Sequence, residues 1–331
     1  MQVMFSIPQK ISRSRGFTVV ELIVAMAVTT VIVSVLVSIT SIALESWNRG
    51  RSELRSAAQA KAIIDTMAKD LESIVYRRGT TALPQGSATP QPAEWFRATS
   101  IATPPGTASF RSSNAIDLVF FSAAADRYNG NIGETNNGNN NDRGGNISLV
   151  AYRLNYRSPF SNATGAGASN SLILNRFLQN PDVALSYMGL AALNIEPLAG
   201  QLQDPANFVA ENIYQFTLVF HVEVIPPAPS GTIPPAPQVI PIIISSSDIA
   251  SGVDSFSING SGITVPDSVS GFNPDVIKAG RLMSAEISVT VLSDRAVQQV
   301  QQRSFPDAGA KANFINQNSY QYSRMVTLPK L

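Results

Sequence analysis

Residues 17–44 run without a proline through valine, isoleucine, leucine, alanine, methionine and small hydroxyl side chains, with Glu21 as the sole charge. That length exceeds the ~20 residues a helix needs to cross a bilayer. It predicts one membrane-spanning helix. Residues 1–16 carry Lys10, Arg13 and Arg15 and no acid, the cationic flank that stays on the cytoplasmic side and directs the remainder of the chain outward. A secretory signal would have a shorter apolar core with a small-residue cleavage site behind it. Here the run passes through Ser41, Ile42, Ala43 and Leu44 into Glu45, Ser46 and Trp47 without a break, so no cleavage is expected behind it. Glu21 then poses a question, because a carboxylate in lipid is costly and ordinarily marks a function.

Behind Trp47 the pattern becomes amphipathic. Ala57, Ile64, Met67, Ala68, Leu71, Ile74 and Val75 recur at helical spacing among Arg51, Glu53, Lys61, Asp65, Lys69, Asp70 and Glu72, which predicts a face meant for a core. With no proline from 17 to 78, span and amphipathic segment are expected to form one helix of about 60 residues, about 90 Å at 1.5 Å per residue, ending at Gly79. Residues 80–106 are rich in Pro, Gly, Ser and Thr and read as a connector. Beyond them "AIDLVFFSAA" (115–124), "ISLVAYRLNY" (147–156), "SLILNRFL" (171–178), "IYQFTLVFHVEVI" (213–225), "QVIPIIIS" (238–245) and "SAEISVTVLS" (284–293) are β-branched and aromatic runs. They predict an antiparallel sheet. "RAVQQVQQR" (295–303) predicts a short helix and "YSRMVTLP" (322–329) a closing strand. The Asn/Gly tract at 126–146 and the proline tract at 226–238 cannot bury enough apolar surface to form core and are expected as exposed loops. The expected fold class is α+β, a long N-terminal helix packed on an antiparallel β-sheet head.

Composition narrows the function. With 24 Lys+Arg against 23 Asp+Glu the net charge is +1, so no global field draws the chain to polyanions, and no nucleic acid is expected as partner. Zero cysteines exclude disulfides and thiolate metal sites and suit an extracytoplasmic compartment. The single histidine, His221, lies in a strand-like run and reads as a strand residue rather than a base. Without G-x-S-x-G or H-E-x-x-H, the usual hydrolase constellations are absent or incomplete, and no enzyme is expected. Asp126, Glu134 and Asp142 could offer calcium its oxygen ligands, but the tract lacks the ordered D-x-[DN]-x-[DN]-G spacing. A flexible loop is the favoured reading there, and no cofactor is expected beyond that calcium candidate. Trp95, Phe96, Tyr320 and Tyr322 are equally suited to a partner surface or to closing the core.

The basic leader, Gly16, the sequence Phe17-Thr18-Val19-Val20-Glu21 and the long apolar helix together resemble a type IV prepilin or pseudopilin. The resemblance implies that a prepilin peptidase, a membrane-embedded aspartyl enzyme, cuts after Gly16 and methylates the new N-terminal Phe17. It implies that Glu21 is the assembly residue, its carboxylate pairing with the α-amine of a neighbouring subunit in a buried ion pair that tolerates little misregister. "MAKDLESIVYRR" (67–78), "FVAENIYQFTLVFHVE" (208–223) and "YSRMVTLP" (322–329) resemble the large J-like minor pseudopilins of type II secretion and large minor pilins. The chain is also similar to long pilin-like proteins of verrucomicrobial gene cassettes. The Asn-rich and Pro-rich loops have no place in a minimal pseudopilin. The implied organisation is a cleaved leader at 1–16, a transmembrane and filament-core helix at 17–45, an amphipathic helix at 46–78 and a β-rich head at 79–331. The implied role is a structural subunit of a short pseudopilus for protein export, single-pass in the bacterial inner membrane with its head in the periplasm. Its implied partners are prepilin peptidase, other pseudopilins or pilins and an inner-membrane assembly platform. A minor pilin of an extracellular type IV pilus, for adhesion or DNA uptake, and a single-span anchored envelope protein are the alternatives.

Overall fold

Helix α1 (Val19–Glu72) is the first and the longest element among the described residues. The computed structural model describes residues 18–82, 89–123, 135–136, 140–141, 145–159, 170–188, 190, 192–227, 235–245 and 252–329. Its contacts divide the chain into two units, 1–52 and 53–331. In the first unit every residue from 18 to 51 is exposed, apolar side chains included. In the second, Ser56, Ala60, Ile63, Ile64, Met67, Ala68 and Leu71 are buried, a stripe at helical spacing that faces a core.

The helix ends at Glu72 and not at Arg78. Residues 73–75 exchange helical bonds for strand bonds: Val75 N–H donates to the Phe121 carbonyl at 2.8 Å, Ala123 N–H donates to the Ser73 carbonyl at 2.8 Å, and Ile74 bridges Ser122. Ile74, Val75 and Tyr76 are β-branched or aromatic, so the pairing suits them. Gly79 has a φ of 75°, a left-handed turn in the chain beyond the helix.

The strands follow in order. β1 (Thr81–Ala82) and β2 (Gln91–Pro92) form a short ladder, followed by β3 (Glu94–Ser100), β4 (Ile116–Ser122), and β5 (Thr135–Asn136) paired with β6 (Asn140–Asn141) inside the Asn/Gly tract. β7 (Ser148–Arg157) and β8 (Ser171–Gln179) lead to helices α2 (Pro181–Tyr187) and α3 (Ala199–Leu202). β9 (Phe208–Glu211), β10 (Ile213–Val224), β11 (Gln238–Ile244), β12 (Gly252–Val253), β13 (Ser255–Asn259) and β14 (Gly262–Thr264) come next. After α4 (Pro274–Lys278) come β15 (Arg281–Leu292), α5 (Asp294–Gln302), α6 (Ala308–Gln317) and β16 (Ser319–Thr327).

The expected antiparallel strands divide between two sheets, a seven-stranded one ordered β14-β13-β3-β4-β7-β8-β9 and a five-stranded one ordered β12-β11-β10-β15-β16. Only the short β11–β12 pair within them is parallel. A single twisted sheet of twelve strands would be larger than most open sheets, and splitting lets two faces bury each other. They meet through aromatic rings: Phe220 of β10 stacks on Phe256 of β13 at 4.2 Å and meets Phe96 of β3 edge-on at 5.4 Å. Asn114 ties the layers further, its amide donating to the Phe216 and Ile244 carbonyls at 3.2 and 3.1 Å. In β10 the alternation is clean, with Phe216, Leu218, Phe220, Val222 and Val224 buried, and the α1 stripe joins the same core.

β3 lies inside the segment expected as a connector. It is buried on both faces, Phe96 towards the main core and Trp95 towards a second cluster with Val119, Phe121 and Leu149 that Ala184, Leu193, Leu198 and Leu202 cover. A strand covered on both sides shows no alternation to read. Trp95 and Phe96 therefore close the core, and Tyr320 and Tyr322 are half-buried. The proline tract has no strand or helix at its described residues before Gln238, which opens β11.

One polar knot fastens α1 to the head. Tyr152 of β7 and Arg176 of β8 are direct cross-strand partners, and both reach Asp70, which is 0% exposed. The Tyr152 hydroxyl donates at 2.5 Å and the Arg176 Nε at 2.7 Å to Oδ2, with Arg176 Nη2 at 3.1 Å from Oδ1. Burial first, and then the Asp70 charge, push the Tyr152 phenol well above its usual value, while the carboxylate holds the Arg176 guanidinium up against its own burial. By contrast, Arg55 with Glu211 and Asp294, and Arg324 with Asp65, are solvent-exposed pairs at 2.7–2.8 Å that contribute little each.

The fragment beginning at Ser46 should unfold cooperatively in guanidine, and Asp70→Ala, which strands the Arg176 charge, should cost about 3–5 kcal/mol. The Tyr152 contribution is fully present below about pH 10 and should disappear as pH rises further, which denaturation across alkaline pH would reveal.

Candidate functional site

Of the residues singled out in the sequence, Glu21 is described, whereas Gly16 and Phe17, and the calcium candidates Asp126, Glu134 and Asp142, lie outside the described residues. Among the described residues no group of three acidic, histidine or cysteine side chains is placed to hold a metal.

Glu21 sits at the third helical position of α1, and Thr18 precedes the helix. The Glu21 backbone N–H donates to Thr18 Oγ1 at 3.3 Å, while Glu21 Oε2 accepts the Thr18 N–H at 2.9 Å and the Thr18 hydroxyl at 3.0 Å. This is a reciprocal capping box, T-x-x-E, in which each side chain accepts from the other residue's backbone N–H and so satisfies two orphan donors. The carboxylate also lies at the positive end of the helix. One carboxylate oxygen does all the capping. Oε1 has no partner among the described residues, so the cap leaves it free to accept a further hydrogen bond. The four-residue signature Thr18-Val19-Val20-Glu21 was legible in the sequence, hidden by the attention a charge in an apolar run attracts.

Past Glu21 the helix hides most of its remaining polarity. The hydroxyls of Thr29, Thr30, Ser38 and Thr40 each donate to the carbonyl four residues earlier at 2.8–3.0 Å, which satisfies them without water. The apolar window has a mean hydropathy of 2.7 and none of it is buried. Leu22, Ala25, Met26, Thr29, Thr30 and Val33 line a shallow groove on this surface.

The Prokaryotic N-terminal methylation motif matches residues 11–37, the stretch that holds Arg13, Arg15, Gly16, Phe17, the capping box and most of the apolar run. The N-terminus is that of a type IV prepilin-like protein. No curated protein and no solved structure matches the chain significantly. The motif and the apolar helix behind it support a pilin-like, membrane-anchored subunit, and the motif implies processing by prepilin peptidase and assembly with other pilins.

A further polar concavity among the described residues lies on the outer face of the seven-stranded sheet. A cleft of about 410 Å³ is lined by Arg97, Thr99, Asp117, Leu193, Asn194 and Glu196 among others. Its charges are already engaged. Arg153 clamps Asp117 at 2.7–2.8 Å and Glu196 at 2.7 Å; Glu94 accepts the Leu193 N–H and meets Arg97 at 3.3 Å. Burial pushes the Glu94 and Asp117 carboxyls up, and these partners counter it. The network fastens residues 193–196 over the second core. His221, mid-strand opposite Pro241 and Ser284, has no acid in those partners to orient it as a base.

Thr18→Val should remove one side of the capping box at about 1 kcal/mol. In micelles, amide hydrogen exchange of residues 19–21 should then accelerate roughly five-fold while exchange from Ile23 onward is unchanged.

Proposed function

We propose that this chain is a pseudopilin-like structural subunit, held in the bacterial inner membrane by α1 with its head in the periplasm. Prepilin peptidase cleaves it between Gly16 and Phe17 and methylates Phe17. It then joins other pseudopilins, on an inner-membrane assembly platform, in a short type II secretion-like pseudopilus for protein export. Its work is assembly rather than catalysis, and it needs no cofactor. The observation that carries this reading is the capped Glu21 with a free carboxylate oxygen at the head of an otherwise uncharged apolar helix. A span used only as an anchor has no use for that charge, since its removal makes insertion easier.

The geometry separates two roles for Glu21. Glu21→Gln keeps an amide oxygen for the Thr18 N–H but loses the charge; Glu21→Ala loses both. If the carboxylate pairs with a neighbour's α-amine, both variants should be inserted and cleaved normally yet fail to co-purify with partner pseudopilins. Rescue by glutamine would reduce the residue to a helix cap, and normal assembly of both would overturn the docking role. Mass spectrometry of the mature chain provides the independent check on processing: a methylated Phe17 start is expected, and a persistent Met1 start in cells with active peptidase would refute it.

A further inference from the structure

Where the apolar run of α1 gives out, the helix presents Glu45, Trp47, Arg49 and Arg51 before the unit ends at Ser52. Trp47 is 72% exposed, among the most exposed large side chains of the chain. Neither Arg49 nor Arg51 makes an ion pair with a described residue, whereas Arg55, one turn beyond Arg51, is held by Glu211 and Asp294.

Their positions along the helix axis match the edge of a bilayer. Taking Leu44 as the end of the hydrocarbon, Trp47 lies about 4.5 Å beyond it, Arg49 about 7.5 Å and Arg51 about 10 Å, at 1.5 Å per residue. The headgroup layer is ~5–7 Å thick on each side, and long cationic side chains reach back along the helix to it. Indole rings with an apolar body and a polar N–H concentrate at that depth. Guanidinium forks match phosphate oxygens. Trp47 and Arg51 share one face of the helix by their i, i+4 spacing, with Glu45 and Arg49 together on another. Counting Glu45 as well, this level of the helix has a net charge of +1, and the face of Trp47 and Arg51 carries no acid.

We propose that Trp47, Arg49 and Arg51 form a headgroup-binding collar that takes the phosphates of anionic phospholipids while the subunit resides in the membrane. The collar rests on the membrane-anchored reading above. It sets the depth of the helix from the head side, so that the span ends at a defined level before any partner subunit is met.

The test uses the full chain reconstituted in phosphatidylcholine vesicles with and without phosphatidylglycerol. The difference in fluorescence between wild type and Trp47→Phe isolates Trp47 without disturbing the buried Trp95. That signal should be quenched most by lipids brominated at the top of the acyl chain, less by mid-chain bromines and least by aqueous iodide. Native mass spectrometry from detergent should show phosphatidylglycerol retained over phosphatidylcholine, with retention falling roughly five-fold for each arginine removed in Arg49→Gln and Arg51→Gln. Strongest quenching by iodide, or lipid retention indifferent to both arginines, would overturn the collar. So would displacement of the lipid by equimolar inorganic phosphate, which would make the site a general anion site. Failure of the chain to float with vesicles would instead overturn the membrane reading beneath it.

Discussion

Everything in this chain depends on one helix remaining unbroken while its surroundings change. In lipid each backbone group must be satisfied within the segment, and α1 meets that demand without proline and with four of its hydroxyls bonded back to the carbonyl one turn earlier. In the head the same helix has to offer a stripe to a core, which begins at Ser56 and runs to Leu71. Both demands are met by exchanging side chains on a continuous backbone.

The stripe alone would leave the helix free to slide or rotate, since apolar contacts carry no direction. Asp70 removes that freedom. A fully buried carboxylate is tolerable only where its partners sit, and those partners are fixed to adjacent positions of β7 and β8 by strand pairing. A displacement of α1 by one residue would take the carboxylate away from both the phenol and the guanidinium. The exposed pairs at Arg55 and Arg324 can re-form with water or with other acids, so they cannot exert the same discrimination.

How much of this was legible depended on what each residue faces. The span, the amphipathic stripe and strands such as β10 were readable because one face is buried and the period shows. Helix α5 was also visible, its Ala296, Val297 and Val300 buried and Ser293 capping it. β3 was not, because Trp95 and Phe96 are buried on opposite faces. The helix end was misplaced because Gly79 is the obvious breaker, whereas the actual stop is tertiary, the pairing of residues 73–75 with the end of β4. Two sheets could not be told from one, since the division is decided by contacts such as Phe220 on Phe256, far apart in sequence. In the candidate site, Glu21 was identifiable as a charge out of place, but its capping bonds depend on Thr18, an uncharged residue that is ordinary in an apolar run.

Those bonds change the meaning of the charge. A bare carboxylate at the start of an apolar helix would need a neighbour merely to be tolerated, and each subunit waiting in the membrane would carry an unsatisfied ion. Capped by Thr18, it is already hydrogen-bonded and lies at the favourable end of the helix dipole, so the waiting subunit is stable by itself. On the docking role proposed above, the free oxygen would let an incoming ammonium add a charge-assisted bond without first breaking the cap. Pairing would gain selectivity in this way, because what distinguishes a correctly seated neighbour would be the added bond, not relief from a strained state.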